Sequence, residues 1–138
     1  MMIESDVIYA YVKSSDWLKP AANKLMTKIT RGEFGTVYSS REILHELYYV
    51  SLEEGVSLEE FIRRAATITA IPNLTLLPTV YEIDLLALAL MQQYKLSSIF
   101  DAYYAATCLK MVEDKTIITT DEEYDKVAGI KRIDPRDI

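Results

Sequence analysis

Cysteine is almost missing from this chain: its 138 residues hold one, Cys108, so no internal disulfide can form. Cys108 falls in an apolar helical pattern, where a small buried side chain is the ordinary occupant. With His45 the sole histidine, there is little from which to build a thiol–imidazole pair or a zinc centre. Four glycines and four prolines are too few for a low-complexity chain. No apolar run approaches the roughly 20 residues of a membrane span. The longest, Leu85 to Met91, falls far short, and the N-terminus lacks the basic, apolar and small-residue succession of a signal peptide. A cytoplasmic protein without membrane association is expected. Positive charge is also scarce: 21 acidic residues against 15 basic ones leave a net charge of −6. That balance excludes a broad basic face holding nucleic acid by bulk electrostatics. Contact with phosphate would need a local source of positive charge, which a divalent metal held by clustered carboxylates would supply.

Half of the residues are apolar and 26% are charged. That is the composition of a globular chain able to bury a core, and residues 1–138 are expected to form a single domain. There are no repeats, linkers or biased tracts to mark a boundary.

Met2 to Ser5 reads as a short strand, and apolar character continues from Val7 to Val12 until Ser14, Ser15 and Asp16 offer a break and a helix cap. From Trp17 to Thr30 the apolar residues recur at helical spacing, with Pro20 in the first turn where its missing N–H costs least. Thr36 to Tyr38 reads as a strand. Ser39 and Glu42 have capping-box spacing and open a helix to about Glu54, and Ser57 with Glu60 repeats the pattern before Pro72. Leu74 to Leu77 suits a buried strand, Thr79 a helix cap, and Ser97 or Ser98 the cap of a helix over Ile99 to Val112. Thr116 to Thr119 is strand-like, Thr120 to Val127 helical, and Ile130 to Ile133 a last strand. Strands that alternate with helices, with no hairpin signal between them, predict an α/β fold. Its central five-stranded sheet should be mostly parallel, with helices on both faces.

In such sheets, function gathers outside the carboxyl ends of the strands. Asp6 leaves the first strand, Glu42 and Glu46 lie a turn apart on the helix after the second, Asp101 starts a helix whose N-terminus lies at the same edge, and Asp121 leaves the fourth strand. Clustered carboxylates raise one another's pKa unless a cation sits between them. An all-oxygen donor set suits Mg2+ or Mn2+. Each acid also has a plainer explanation. Glu42 serves the capping box, and Asp101 and Asp121 sit where any helix start welcomes negative charge. Glu46, within a helix, and Asp6, interrupting an apolar run, fit that explanation less well.

The run Asp101-Ala102-Tyr103-Tyr104-Ala105-Ala106-Thr107 resembles the third acidic motif of PIN domains. Ser5-Asp6-Val7 resembles the first motif, Glu46-Leu47 after Ser39 and Ser40 the second, and Thr119-Thr120-Asp121 the fourth. Two departures stand out: the first motif often carries Thr or Ser after its acid, where Val7 follows Asp6, and Tyr104 stands where histidine is common in the third. The resemblance implies a PIN-like three-layer α/β/α fold. It also implies a Mg2+- or Mn2+-dependent endoribonuclease in which Asp6, Glu46, Asp101 and Asp121 hold the metal, supported by Thr119; it favours Glu46 as the second acid, whereas geometry alone favours Glu42, a turn closer to the rim. It further implies single-stranded or loop RNA as substrate, a VapC-type toxin role beside an antitoxin protein, and a homodimer. Two other readings compete: a catalytically silent PIN-like module that binds RNA or protein, and a receiver-type signalling domain. The latter would want an acidic pair after an early strand and a lysine after the last.

Overall fold

A computed structural model describes residues 1–138. Five strands, β1 (Met2–Ile3), β2 (Val37–Ser40), β3 (Leu74–Leu77), β4 (Thr116–Ile118) and β5 (Lys131–Ile133), form one sheet in the order β3-β2-β1-β4-β5. Every pairing is parallel; Met2 stands opposite Tyr38 on one side and Ile117 on the other. Met2, Ile3, Val37, Ile117 and Ile118 are fully buried, as the central strands of a sheet covered on both faces must be.

Six helices cover the sheet: α1 (Ser5–Val12), α2 (Lys19–Thr30), α3 (Ile43–Glu53), α4 (Leu58–Thr69), α5 (Tyr81–Tyr94) and α6 (Ile99–Met111). α1 packs against α2, α3 and α4, while α5 and α6 pack on each other, giving the three-layer α/β/α arrangement. From β1 the chain moves outward through β2 to β3, then crosses back to lay β4 on the other side of β1. The crevice outside the carboxyl ends of β1 and β4 is therefore the topological switch point, where such sheets bind ligands.

Several expected boundaries hold, among them β3 over Leu74–Leu77. Ser57 Oγ accepts the Glu60 N–H at 3.1 Å to cap α4, and Ser98 Oγ accepts the Phe100 N–H at 3.1 Å to cap α6. Others differ. The first strand ends at Ile3, and Ser5–Val12 is helical, so Asp6 lies in the first turn of α1 rather than leaving a strand. Ser5, Val7, Ile8, Tyr9 and Ala10 are all buried, so α1 has no polar face and no amphipathic period to separate it from a strand. Ser39 caps nothing: it belongs to β2, where its hydroxyl donates to the Ile3 carbonyl at 2.7 Å. Ser40 Oγ instead accepts the Glu42 N–H at 3.0 Å, so α3 starts at Ile43 without a capping box. Val80, not Thr79, precedes α5, with no side-chain cap. The expected Thr120–Val127 helix is a 3-10 turn over Glu122–Lys126, and a second one spans Pro135–Asp137.

Candidate active site

Glu4 is the first residue beyond β1, and its backbone N–H still donates to the Ile118 carbonyl at 3.1 Å, which fixes it at the carboxyl edge beside β4. Only 4% of Glu4 is exposed. Its carboxylate caps α1 by accepting the Asp6 N–H at 3.5 Å, takes a hydrogen bond from Thr119 Oγ1 at 3.0 Å, and receives one from the Ser5 hydroxyl. The Ser5 hydroxyl also contacts Glu46. A hydroxyl has a single proton to give, so a chain of contacts from Glu4 through Ser5 to Glu46 is fully satisfied only if one carboxyl carries a proton of its own. Tyr104 approaches Glu46 from α6 and donates its hydroxyl proton at 3.3 Å.

The far wall is the loop after β4. Thr119, fully buried, accepts the Asp121 N–H at 3.0 Å on the hydroxyl that donates to Glu4. Asp121 Oδ1 caps the following 3-10 turn by accepting the Glu123 N–H at 2.9 Å. Asp6 reaches across to the same loop, where one of its oxygens accepts both the Thr120 N–H at 2.9 Å and the Thr120 hydroxyl at 2.7 Å. Asp101 stands in the first turn of α6 behind the Ser98 cap.

The carboxylates are electrostatically coupled. Burial pushes Asp101 up to about 7, and the charges of Asp121, Glu46, Glu123 and Asp6 push it the same way. Burial likewise raises Glu46, with Asp6 and Asp121 adding to the shift. It raises Glu4 well above the carboxylate range, with Asp6, Glu46 and Asp101 adding. Nine ion pairs to lysine, arginine or the N-terminus form in the molecule, and none involves Glu4, Asp6, Glu46, Asp101 or Asp121. These acids are gathered in the absence of any protein cation to relieve them.

Asp6, Glu46, Asp101 and Asp121 thus lie together at the carboxyl edge of the sheet, each within electrostatic reach of others in the group, and Thr119 joins Glu4 to the Asp121 backbone beside them. Glu42 does not join them. It pairs with His45 Nδ1 at 2.8 Å at the edge of an apolar groove lined by Leu44, Tyr48, Phe61 and Phe100. Two residues at the site escaped sequence reasoning, Glu4 and Tyr124. Glu4 carried a legible signal, because it is an acid followed by a hydroxyl, Ser5, the pairing that Asp6-Val7 lacks.

The donor set fits a hard divalent ion: every donor is oxygen, no cationic side chain competes, and the Tyr124 hydroxyl is buried at the cluster without a hydrogen-bond partner. As placed, no three acids surround a common point at ligating distance, since the Ser5 hydroxyl stands between Glu4 and Glu46. Cys108 is buried, and burial pushes its thiol up to about 12, which leaves it inert.

Comparison with known proteins agrees with this architecture. The PIN domain model matches residues 1–130. The chain is similar in structure to VapC20 of Mycobacterium tuberculosis, described as a Sarcin-Ricin loop cleaving toxin. Identity is 14%, coverage 94% of this chain and 95% of that one, and the TM-score 0.75. It is also similar to a chain of VapBC2 from Rickettsia felis, solved bound to a DNA fragment from its promoter, at 12% identity, 96% coverage of both chains and a TM-score of 0.69. No curated protein sequence matches. With a family model spanning nearly the whole chain and a five-stranded parallel sheet that gathers its acids at the switch point, this chain belongs to the PIN domain family.

Proposed function

We propose that the protein is a divalent-metal-dependent endoribonuclease, the toxin of a toxin–antitoxin pair. The observation that carries this reading is the group of buried, mutually repelling carboxylates at the carboxyl edge of β1 and β4, with no cationic side chain to neutralise them. Holding such a group together costs free energy unless a small doubly charged ion is what the site is built to bind. Glu4, Glu46, Asp101 and Asp121 are the proposed ligands. Asp6, whose carboxylate is engaged by Thr120, has the better claim to pinning the loop that presents Asp121. Mg2+ or Mn2+ held there would activate water toward a phosphodiester and stabilise the negative charge that develops on phosphorus.

The remaining residues orient these groups. Tyr104 and Ser5 fix the Glu46 carboxylate from two sides, Thr119 links Glu4 to the Asp121 backbone, and the first turn of α6 carries Asp101 behind the Ser98 cap. The overall negative charge makes the ion the main attraction for phosphate, which suits unpaired or loop RNA more than a long duplex. The structural likeness to VapC20 and to a VapBC2 chain supports an RNA substrate and an antitoxin partner. A cytoplasmic homodimer is the assembly that goes with this reading; no helix is long and apolar enough to cross a membrane.

Asp101→Asn removes one negative charge while keeping the shape of the side chain. Mn2+-dependent cleavage of an unstructured RNA should be lost, by about 100-fold or more, with an unchanged circular dichroism spectrum. A purified, folded D101N protein that still cuts would refute the assignment.

A further inference from the structure

Tyr124 lies on the 3-10 turn that Asp121 caps, and 1% of it is exposed. Its hydroxyl is buried and has no hydrogen-bond partner. Native structures rarely leave a buried hydroxyl unpaired, because the lost hydration is not recovered, so an orphan of this kind points to a group that is there only part of the time. The side chain is not among apolar neighbours alone. Burial holds the Tyr124 phenol well above its ordinary range, and the charges of Glu4, Asp101 and Asp121, with Tyr104, push it the same way. It therefore stays protonated and can only act as a donor toward these carboxylates.

The hydroxyls that hydrogen-bond Glu4 and Glu46 are already committed. Ser5 is shared with Glu46, Thr119 spans Glu4 and the Asp121 backbone, and Tyr104 donates to Glu46. Of the five buried side-chain atoms without a partner, on Ser51, Arg64, Thr79, Thr107 and Tyr124, the Tyr124 hydroxyl is the one on the turn that Asp121 caps, and no three acids share a point within ligating distance. We infer that Tyr124 is a positioning residue of the acidic site, whose hydroxyl would donate to the Glu4 carboxylate when the acids hold a divalent cation. The step is the gain of one hydrogen bond, with no proton transferred. It rests on the proposed metal-dependent reading and adds to it a residue outside the ligand set.

The test is Tyr124→Phe, which deletes one oxygen and leaves the ring that fills the core. Mn2+ alone is titrated into wild type and Y124F by calorimetry, and thermal melts of both are recorded without metal. The expected result has two parts. Y124F melts at or above the wild-type temperature when metal-free, because an unpaired buried hydroxyl has been removed, yet it binds Mn2+ about 10- to 100-fold more weakly, the loss of one hydrogen bond to a charged group. A merely structural tyrosine would not move the affinity. Equal affinity in the two proteins overturns the inference and leaves the nuclease reading standing. A metal-free Y124F that is clearly less stable than wild type, or does not fold, also overturns it, since the hydroxyl must then already have a partner. Wild type that binds no Mn2+ at all brings down the nuclease reading itself.

Discussion

Glu4 and Asp6 are two residues apart and both acidic, but their surroundings ask different things of them. Glu4 is buried at the end of the central strand among like charges. Asp6 is half-buried, and its carboxylate accepts two hydrogen bonds from Thr120 and one from the Val7 N–H at 2.7 Å. Replacing each by its amide separates the two roles. Glu4→Gln keeps an acceptor for Thr119 and removes a charge that burial disfavours. The metal-free protein should therefore be as stable as wild type or more so, with Mn2+ affinity reduced at least about 10-fold. Asp6→Asn weakens the pin on the β4 loop and should lower stability by about 1–2 kcal/mol while Mn2+ affinity changes only about threefold. Calorimetric titration of both variants decides; the opposite ranking would return the ligand role to Asp6. Sequence made Asp6 conspicuous because it interrupts apolar residues, whereas Glu4 followed two residues that look like an ordinary strand start. That Asp6 already has partners on a loop 114 positions away is a tertiary fact, and no local pattern carries it.

At the scale of elements, the crevice depends on two segments meeting in a fixed register: the β1–α1 junction and the loop after β4. Thr119 joins them, since its hydroxyl gives its proton to Glu4 and receives the Asp121 N–H. Thr119→Val keeps the volume, leaves the Asp121 N–H without its acceptor and takes one of three hydrogen bonds from the buried Glu4 carboxylate. The expected cost is about 2–3 kcal/mol, read as a lower midpoint of unfolding in urea with an unchanged slope. Cleavage should fall with it, because Asp121 loses its backbone anchor; a neutral effect on both would mean that the hydroxyl bridge is dispensable. Elements were legible wherever burial had a single side. α2 and α4 show helical spacing, and the Ser57 and Ser98 caps mark real helix starts. The failures lie where burial is complete or capping ambiguous. α1 is buried on nearly every side and so reads as a strand, and Ser39 mimics a cap although its hydroxyl is spent on the neighbouring strand. Asp6, Glu46, Asp101 and Asp121 still lie near the carboxyl edge despite these shifts, because one or two residues at a boundary leave a side chain at the same edge of the sheet.

For the whole molecule, the linked ionisation of the acids sets how stability responds to pH. Glu4, Glu46 and Asp101 all have folded-state pKa values raised by burial and by one another, Asp101 to about 7. A carboxyl whose pKa is higher in the folded chain than in the unfolded one binds its proton more tightly when folded. Its contribution is therefore fully present below the unfolded value, near 4, and is lost as pH rises through the folded value. The metal-free protein should melt at progressively lower temperature between about pH 5 and pH 8. Divalent metal must displace those same protons, so its affinity should rise across that interval, and its stabilisation should be larger at the alkaline end. Mn2+ at a hundredfold excess over its dissociation constant adds about 2.7 kcal/mol. For a chain of this size that corresponds to a shift on the order of 10 °C. Melts over this pH range with and without Mn2+ should therefore diverge as pH rises, and D101N should show a shallower metal-free slope. A metal-free midpoint that climbs from pH 5 to pH 8 would mean that the carboxylates are stabilised as anions by the protein itself, which would leave the site no electrostatic need for a cation.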